Sequence, residues 1–167
     1  MEYVFGLAAE NDLTRIMEII GQAKNQMYRE GKRQWDDSYP ARQHIAADID
    51  AGNGYVLSLS GRVIAYGAIV FSGEPAYTSI QGRWLSDRQY VVLHRLAVAD
   101  EVKRQGIATR FMEEAENLSR AKGFHSFRID TNCDNVYMQR ILEKRNFIYC
   151  GEIFYERGSR MAYEKLI

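Results

Sequence analysis

The run Val98-Ala99-Asp100-Glu101-Val102-Lys103-Arg104-Gln105-Gly106-Ile107-Ala108-Thr109 constrains the fold more than any other part of the chain. It ends a stretch of strand character, turns on polar residues, and enters a helix through small ones. A strand delivered directly into a helix belongs to a mixed α/β arrangement. The junction also suits an anion. N–H groups in a first helical turn have no internal partner, point outward together, and are reinforced by the positive end of the helix dipole. Gly106 and Ala108 keep side chains out of the way, so a pyrophosphate can approach the main chain, with Lys103 and Arg104 adding charge at the rim. The alternative is a glycine that merely ends a loop beside solvated cations. Gly52-Asn53-Gly54 precedes a strand, and no G-x-x-x-x-G-K-[ST] run occurs, so the Rossmann and P-loop fingerprints are both missing.

Around this junction the chain alternates in type. Tyr3 to Leu7 reads as a strand, and Leu13, Ile16, Met17, Ile20 and Ala23 recur at helical spacing in a helix from Asn11 or Asp12 to about Glu30. After a turn-rich loop, Gln43 to Ala51 reads as a second helix. Tyr55 to Ser60 and Arg62 to Phe71 form a hairpin about Ser60-Gly61. Gly73 to Leu85 shows no clear periodicity and reads as a loop or a lengthened strand connection. The remaining elements are strand Tyr90 to Ala99, helix Gly106 to Lys122, strand Ser126 to Thr131, helix Asn135 to Arg145, and strands Phe147 to Phe154 and Arg160 to Leu166. The order β-α-α-β-β-β-α-β-α-β-β, without repeat or linker, predicts one mixed sheet covered by helices and a single domain over residues 1–167.

Composition removes several function classes. Lys plus Arg and Asp plus Glu are both 22, so no global positive field draws in a phosphate backbone, and nucleic acid is not expected as a partner. Apolar runs such as Gly67 to Phe71 fall far short of the roughly 18 residues of a membrane span, and Glu2 stands where a signal peptide carries positive charge. A cytoplasmic protein with no membrane contact is expected. Cys133 and Cys150 form no CxxC, and His44, His94 and His125 are scattered, so no metal site is expected.

Leu93-His94-Arg95-Leu96-Ala97-Val98, the Lys103 to Ala108 loop, Asn135 and Asn146-Phe147 resemble the GNAT acetyltransferase superfamily in order and spacing, over nearly the whole chain. The resemblance implies an α/β fold with a mixed, mostly antiparallel sheet, split at its centre and flanked by helices. The strand equivalent to Tyr90 to Ala99 would carry a bulge and splay from that equivalent to Ser126 to Thr131. It implies acetyl-coenzyme A as co-substrate, with Lys103, Arg104, Gln105, Gly106, Ile107, Ala108 and Thr109 about the pyrophosphate. The main chain of Leu96, Ala97 and Val98 and the side chain of Asn135 would lie along the pantetheine, and the Leu96 amide would polarise the thioester carbonyl. A homodimer is also within the family's habit.

Four positions depart from the family pattern. Lys103 and Ala108 are mild changes in the loop, and Asn146 replaces a glycine that Asn can imitate in left-handed backbone. Leu142 occupies the place of the usual Tyr, whose phenol protonates the departing thiolate, so Leu142→Tyr is expected to restore it. Tyr137 is a candidate substitute acid. The string around His94 is similar to that of arylalkylamine N-acetyltransferases, in which the His is a base. The alternative is a strand histidine satisfied by a backbone group. Arg95 should face the other way. Trp35 and Tyr39 lie in the region that covers the acceptor opening in the family, where they would line a pocket, with Asp36 and Asp37 to attract a cationic amine. They could equally anchor the loop. Cys133 reads as a packing cysteine. The combined reading is direct transfer of acetyl from acetyl-coenzyme A to a primary amine of a small molecule, catalysed by His94, Leu96 and Tyr137. The rivals are acetylation of a protein N-terminus or lysine, and a non-catalytic acyl-coenzyme A sensor.

Overall fold

A computed structural model of the chain describes residues 2–167. It contains the strands β1 Tyr3–Leu7, β2 Gly54–Leu59, β3 Arg62–Val70, β4 Gln81–Gly82, β5 Val91–Val98, β6 Ser126–Thr131, β7 Ile148–Tyr155 and β8 Gly158–Leu166. The helices are α1 Leu13–Arg29, α2 Arg42–Asp50, α3 Ile107–Ala121 and α4 Val136–Lys144. Every expected strand and helix is present. The strands follow the order β1-β2-β3-β5-β6-β8-β7-β4 in a mixed sheet. The β5–β6 ladder is parallel and has only two register pairs, Val91 with Phe127 and Val92 with Arg128, whereas β6 pairs antiparallel with β8 along all of its residues. That short ladder is the expected split.

The chain folds as two compact units, each built from separate stretches. The first runs up to Ile69 and resumes at Arg95–Glu114; the second comprises Val70–His94 and Ala115–Ile167. In the first, Ile16, Ile19 and Ile20 of α1, Ile45 of α2, Leu57 of β2 and Phe111 of α3 are fully buried. Full burial of such a side chain stabilises by about 1.5–3 kcal/mol. The propensity loss of a β-branched residue in a helix is at most about 0.7 kcal/mol, so burial decides that α1 forms. Phe5 stacks on Tyr55 at 5.5 Å and meets Phe111 edge-on at 5.3 Å.

In the second unit the core gathers Tyr77, Val92, Ile153 and Ala162, with Trp84 and Tyr90 against it. The buried Arg128 guanidinium lies 4.1 Å from the Trp84 ring centroid and 4.0 Å from that of Tyr90. The segment expected to be a loop or a lengthened strand connection holds a 3-10 turn, Pro75–Ser79, and the short β4. Here Gly82 pairs with Gly151 so closely that a Cβ on either would sit about 2 Å from the other strand's carbonyl oxygen, at φ of +141° and +146°. Only glycine permits that approach. Helix α4 ends with Asn146 at φ +69°, its N–H donating to the Glu143 carbonyl and that of Phe147 to the Leu142 carbonyl, the Schellman pattern expected of Asn in the glycine position. Both cysteines are free; Cys150 is buried, but Cys133 is exposed on the turn before α4, which corrects its assignment as a packing residue. Among the described residues no helix is long and apolar enough to cross a membrane.

Candidate active site

The loop from β5 to α3 begins with a 3-10 turn, Asp100–Val102, which the buried Val102 holds down. Arg104 and Gly106 then adopt φ of +63° and +73° on either side of Gln105, curling the main chain as it enters α3. The first helical hydrogen bond runs from the Arg110 N–H to the Gly106 carbonyl, so the N–H groups of Ile107, Ala108 and Thr109 precede it. Buried Ile107 and Ala108 side chains fix this turn, while Arg104, Gln105 and Gly106 are exposed. A Cβ at Gly106 would meet no atom within 4 Å. The residues thus fit an anion held by main-chain donors with open space before it. Lys103 contributes less charge than its type suggests, because its ammonium lies 2.7 Å from the Asp100 carboxylate. Arg104 is the exposed cation.

On β5, Leu96 and Val98 are half-buried and Ala97 is buried. Just before them Arg95 takes a left-handed φ of +58°. Its guanidinium is held by Asp48 of α2 through Nε at 2.8 Å and Nη2 at 2.5 Å, and it donates to the Tyr39 hydroxyl at 2.9 Å. Tyr66 also donates to Asp48, at 2.6 Å. Burial, then the Asp48 charge, pushes the Tyr66 phenol far up, so it remains a donor. This fork-to-carboxylate geometry is the strong form of an ion pair.

His94 enters a different set of partners. Its Nε2 lies 3.3 Å from Glu74 Oε1, with the two side chains 19% and 17% exposed. Tyr155 lies 3.4 Å from the same oxygen and donates to Asp130 Oδ2 at 2.9 Å, and Tyr77 donates to that oxygen at 2.8 Å. The bond from His94 holds the Glu74 carboxyl below the usual range, opposed by burial and aided by the Ala76 N–H. Burial first, and the neighbouring carboxylates second, raise the Tyr77 and Tyr155 phenols well above theirs. The set therefore joins the ionised Glu74 and two phenols that keep their protons to the Asp130 carboxyl group and the His94 imidazole. Hydrogen-bonded groups that include an imidazole, with a donor and an acceptor nitrogen on one ring, can hold and pass a proton.

The other expected residues have local roles of their own. Trp35 is buried, and Tyr39, half-buried after a loop in which Asp36 accepts from Ser38 and Tyr39, follows it. Asp36 therefore serves its own turn. The Asn135 side chain caps α4, its Oδ1 accepting from the Met138 N–H at 3.1 Å. Tyr137 is exposed on the first turn of α4, and Leu142 is fully buried in the same helix. Sequence reading missed Glu74 and Tyr155, whose meeting joins positions 81 apart, and Asp48, which faces Arg95 across 47. No local pattern marks either; a carboxylate just before Pro75 is the only hint.

Comparison with known proteins accords with this geometry. The acetyltransferase (GNAT) family model matches residues 14–147. A GNAT-family acetyltransferase from Streptococcus agalactiae is 33% identical, with a TM-score of 0.90, over 99% of this chain and 95% of that one. A ribosomal-protein-alanine N-acetyltransferase from Brucella melitensis shares the fold at 16% identity and a TM-score of 0.69, over 98% and 99%. The Salmonella typhimurium protein yncA, solved with its cofactor acetyl-CoA, does so at 14% and 0.69, over 98% and 93%. No curated protein sequence matches. With a strand that parts from its neighbour, a left-handed residue on that strand, a donor-lined helix start, and a family match over most of its length, the chain belongs to the GNAT family of acetyltransferases.

Proposed function

We propose that the enzyme acetylates a primary amine of a small molecule by direct transfer in a ternary complex, with His94 as the base. The observation that carries the reading is the His94 imidazole against the Glu74 carboxylate, two residues before Leu96 on β5. Acetyl-CoA supplies an activated acyl group as a thioester. The N–H groups from Arg104 to Thr109 hold its pyrophosphate, and the main chain of Leu96 and Val98 pairs with pantetheine amides. The Leu96 N–H stabilises the charge developing on the carbonyl oxygen. His94 accepts a proton from the acceptor ammonium; the freed nitrogen lone pair attacks the carbonyl carbon, the C–S pair leaves with sulfur, and the nitrogen, now bonded to the acetyl carbon, gives its second proton to solvent to yield the amide. Tyr137 is the nearest candidate in sequence to protonate that sulfur, since Leu142 has nothing to donate. Trp35 acts by anchoring the loop that presents Tyr39 to the acceptor. One domain over 1–167 belongs to this reading, since each compact unit is assembled from two stretches of chain.

The test is turnover against pH for wild type and His94→Gln with one saturating amine. Near neutrality the variant should lose about 10²-fold or more, the scale of general-base catalysis. The profiles should converge toward the amine pKa, where free amine no longer needs a base. Parallel profiles with an unchanged acidic limb would remove His94 from the chemistry.

A further inference from the structure

We propose that Glu74 is the positioning residue of this acid–base centre, holding the His94 proton on Nε2 so that Nδ1 is the nitrogen that deprotonates the acceptor. The proposal rests on His94 as the base. An ionised carboxylate only accepts hydrogen bonds. With Glu74 Oε1 3.3 Å from Nε2, the proton of the neutral ring belongs on Nε2 and the lone pair on Nδ1. Which ring nitrogen is basic is set by the partner of the other, as it is in carboxylate–histidine arrangements generally.

Glu74 can impose this because it is itself fixed. Its Oε2 accepts from the Ala76 N–H at 3.1 Å, and its own N–H donates to the Tyr90 hydroxyl at 3.2 Å. Tyr155 lies against Oε1 at 3.4 Å, and Pro75 opens the 3-10 turn that follows. A carboxylate on a mobile loop would leave the imidazole free to turn; one held on both oxygens and at the main chain does not. The charged and titratable groups about His94 are thus Glu74 directly, with Tyr90, Tyr155, Asp130 and Tyr77 behind it. The two carboxylates favour the imidazolium that forms when the ammonium N–H bond breaks, its electron pair stays on the amine, and the proton bonds to Nδ1. That proton then leaves from Nδ1 to solvent, and the Nε2 proton stays throughout.

The tautomer is read by nitrogen NMR on protein carrying labelled histidine, with His94→Gln assigning one of only three histidines. The neutral ring of wild type should show a protonated Nε2 and a bare Nδ1. Glu74→Gln should lower kcat by about 10-fold or more, leave KM for acetyl-CoA unchanged, and move the acidic limb to lower pH, because an anion no longer favours imidazolium. Glu74→Asp should recover part of kcat. A proton on Nδ1 in wild type, or wild-type kcat and limb in Glu74→Gln, overturns the proposal. If His94→Gln is still impaired in that case, the base reading survives alone. If His94→Gln retains wild-type turnover, both fall together. Should Glu74→Gln not fold, the wild-type tautomer decides.

Discussion

His94 and Arg95 are neighbours on β5, yet each feeds a polar cluster of opposite character. Around Arg95 the contacts are short, 2.5 to 2.9 Å, and the Asp48 side chain is only 8% exposed. The cation never deprotonates in a protein, and Tyr66 closes a remaining carboxylate site. Around His94 the contacts to Glu74 lengthen to 3.3 and 3.4 Å. A closed cluster with a permanent charge holds backbone, here a left-handed residue that would cost energy unaided. A looser cluster built on an imidazole, whose ring offers both a donor and an acceptor nitrogen, can exchange protons.

That contrast is broken most directly at Asp48. Asp48→Ala leaves a buried guanidinium uncompensated and should cost about 3–5 kcal/mol in urea denaturation. The double variant Asp48→Leu with Arg95→Met should return most of that loss, because replacing both partners by apolar groups is often near neutral. A loss below about 1 kcal/mol for the single change would show a solvated pair and erase the distinction.

The cradle lies in the same unit as the Arg95 cluster, and its perturbation should act on binding alone. Acetyl-CoA at about 100 times its Kd should stabilise wild type by about 2.7 kcal/mol. Gly106→Glu, with bulk and negative charge where a Cβ would otherwise meet open space, should abolish this shift in a thermal melt. An unchanged shift would displace the pyrophosphate from this loop.

Leu142 shows where sequence reasoning stopped. By position it invites Tyr, and a phenol there was expected to assist the thiolate. The side chain is fully buried, so the larger ring should overpack α4 and cost about 1–3 kcal/mol by urea denaturation before any catalytic gain. Undiminished stability would mean that space exists beside α4. What the sequence made legible was local: the apolar spacing of α1, the glycine-bearing entry to α3, and Asn146 in a glycine's place each leave a mark within a few residues. Glu74 with His94, Asp130 with Tyr155, and Gly82 with Gly151 leave none, because each meeting depends on how distant strands come into register. The turn geometry of the entry to α3 was therefore readable in advance, and the contact between Glu74 and His94 was not.

The smallest expected effect separates the looser cluster from the closed one by pH. Glu74 has its carboxyl held below the ordinary glutamate value chiefly by the His94 bond, against the opposing effect of burial. A group whose pKa is depressed on folding contributes stability in full above its unfolded value, about 4.3, and loses it as pH falls through the lower folded value. Wild type should therefore exceed Glu74→Gln in urea midpoint at pH 5 to 7, and the gap should narrow steadily below about pH 4.3. Gln keeps an oxygen for the Ala76 N–H, so the comparison isolates charge from the local turn. The measurement is the difference in midpoint between the two proteins from pH 3 to pH 7. A gap that stays constant across that range would mean that the carboxylate gains nothing from His94 on folding. The 3.3 Å contact would then be two groups side by side, without the coupling that distinguishes this cluster from a merely structural one.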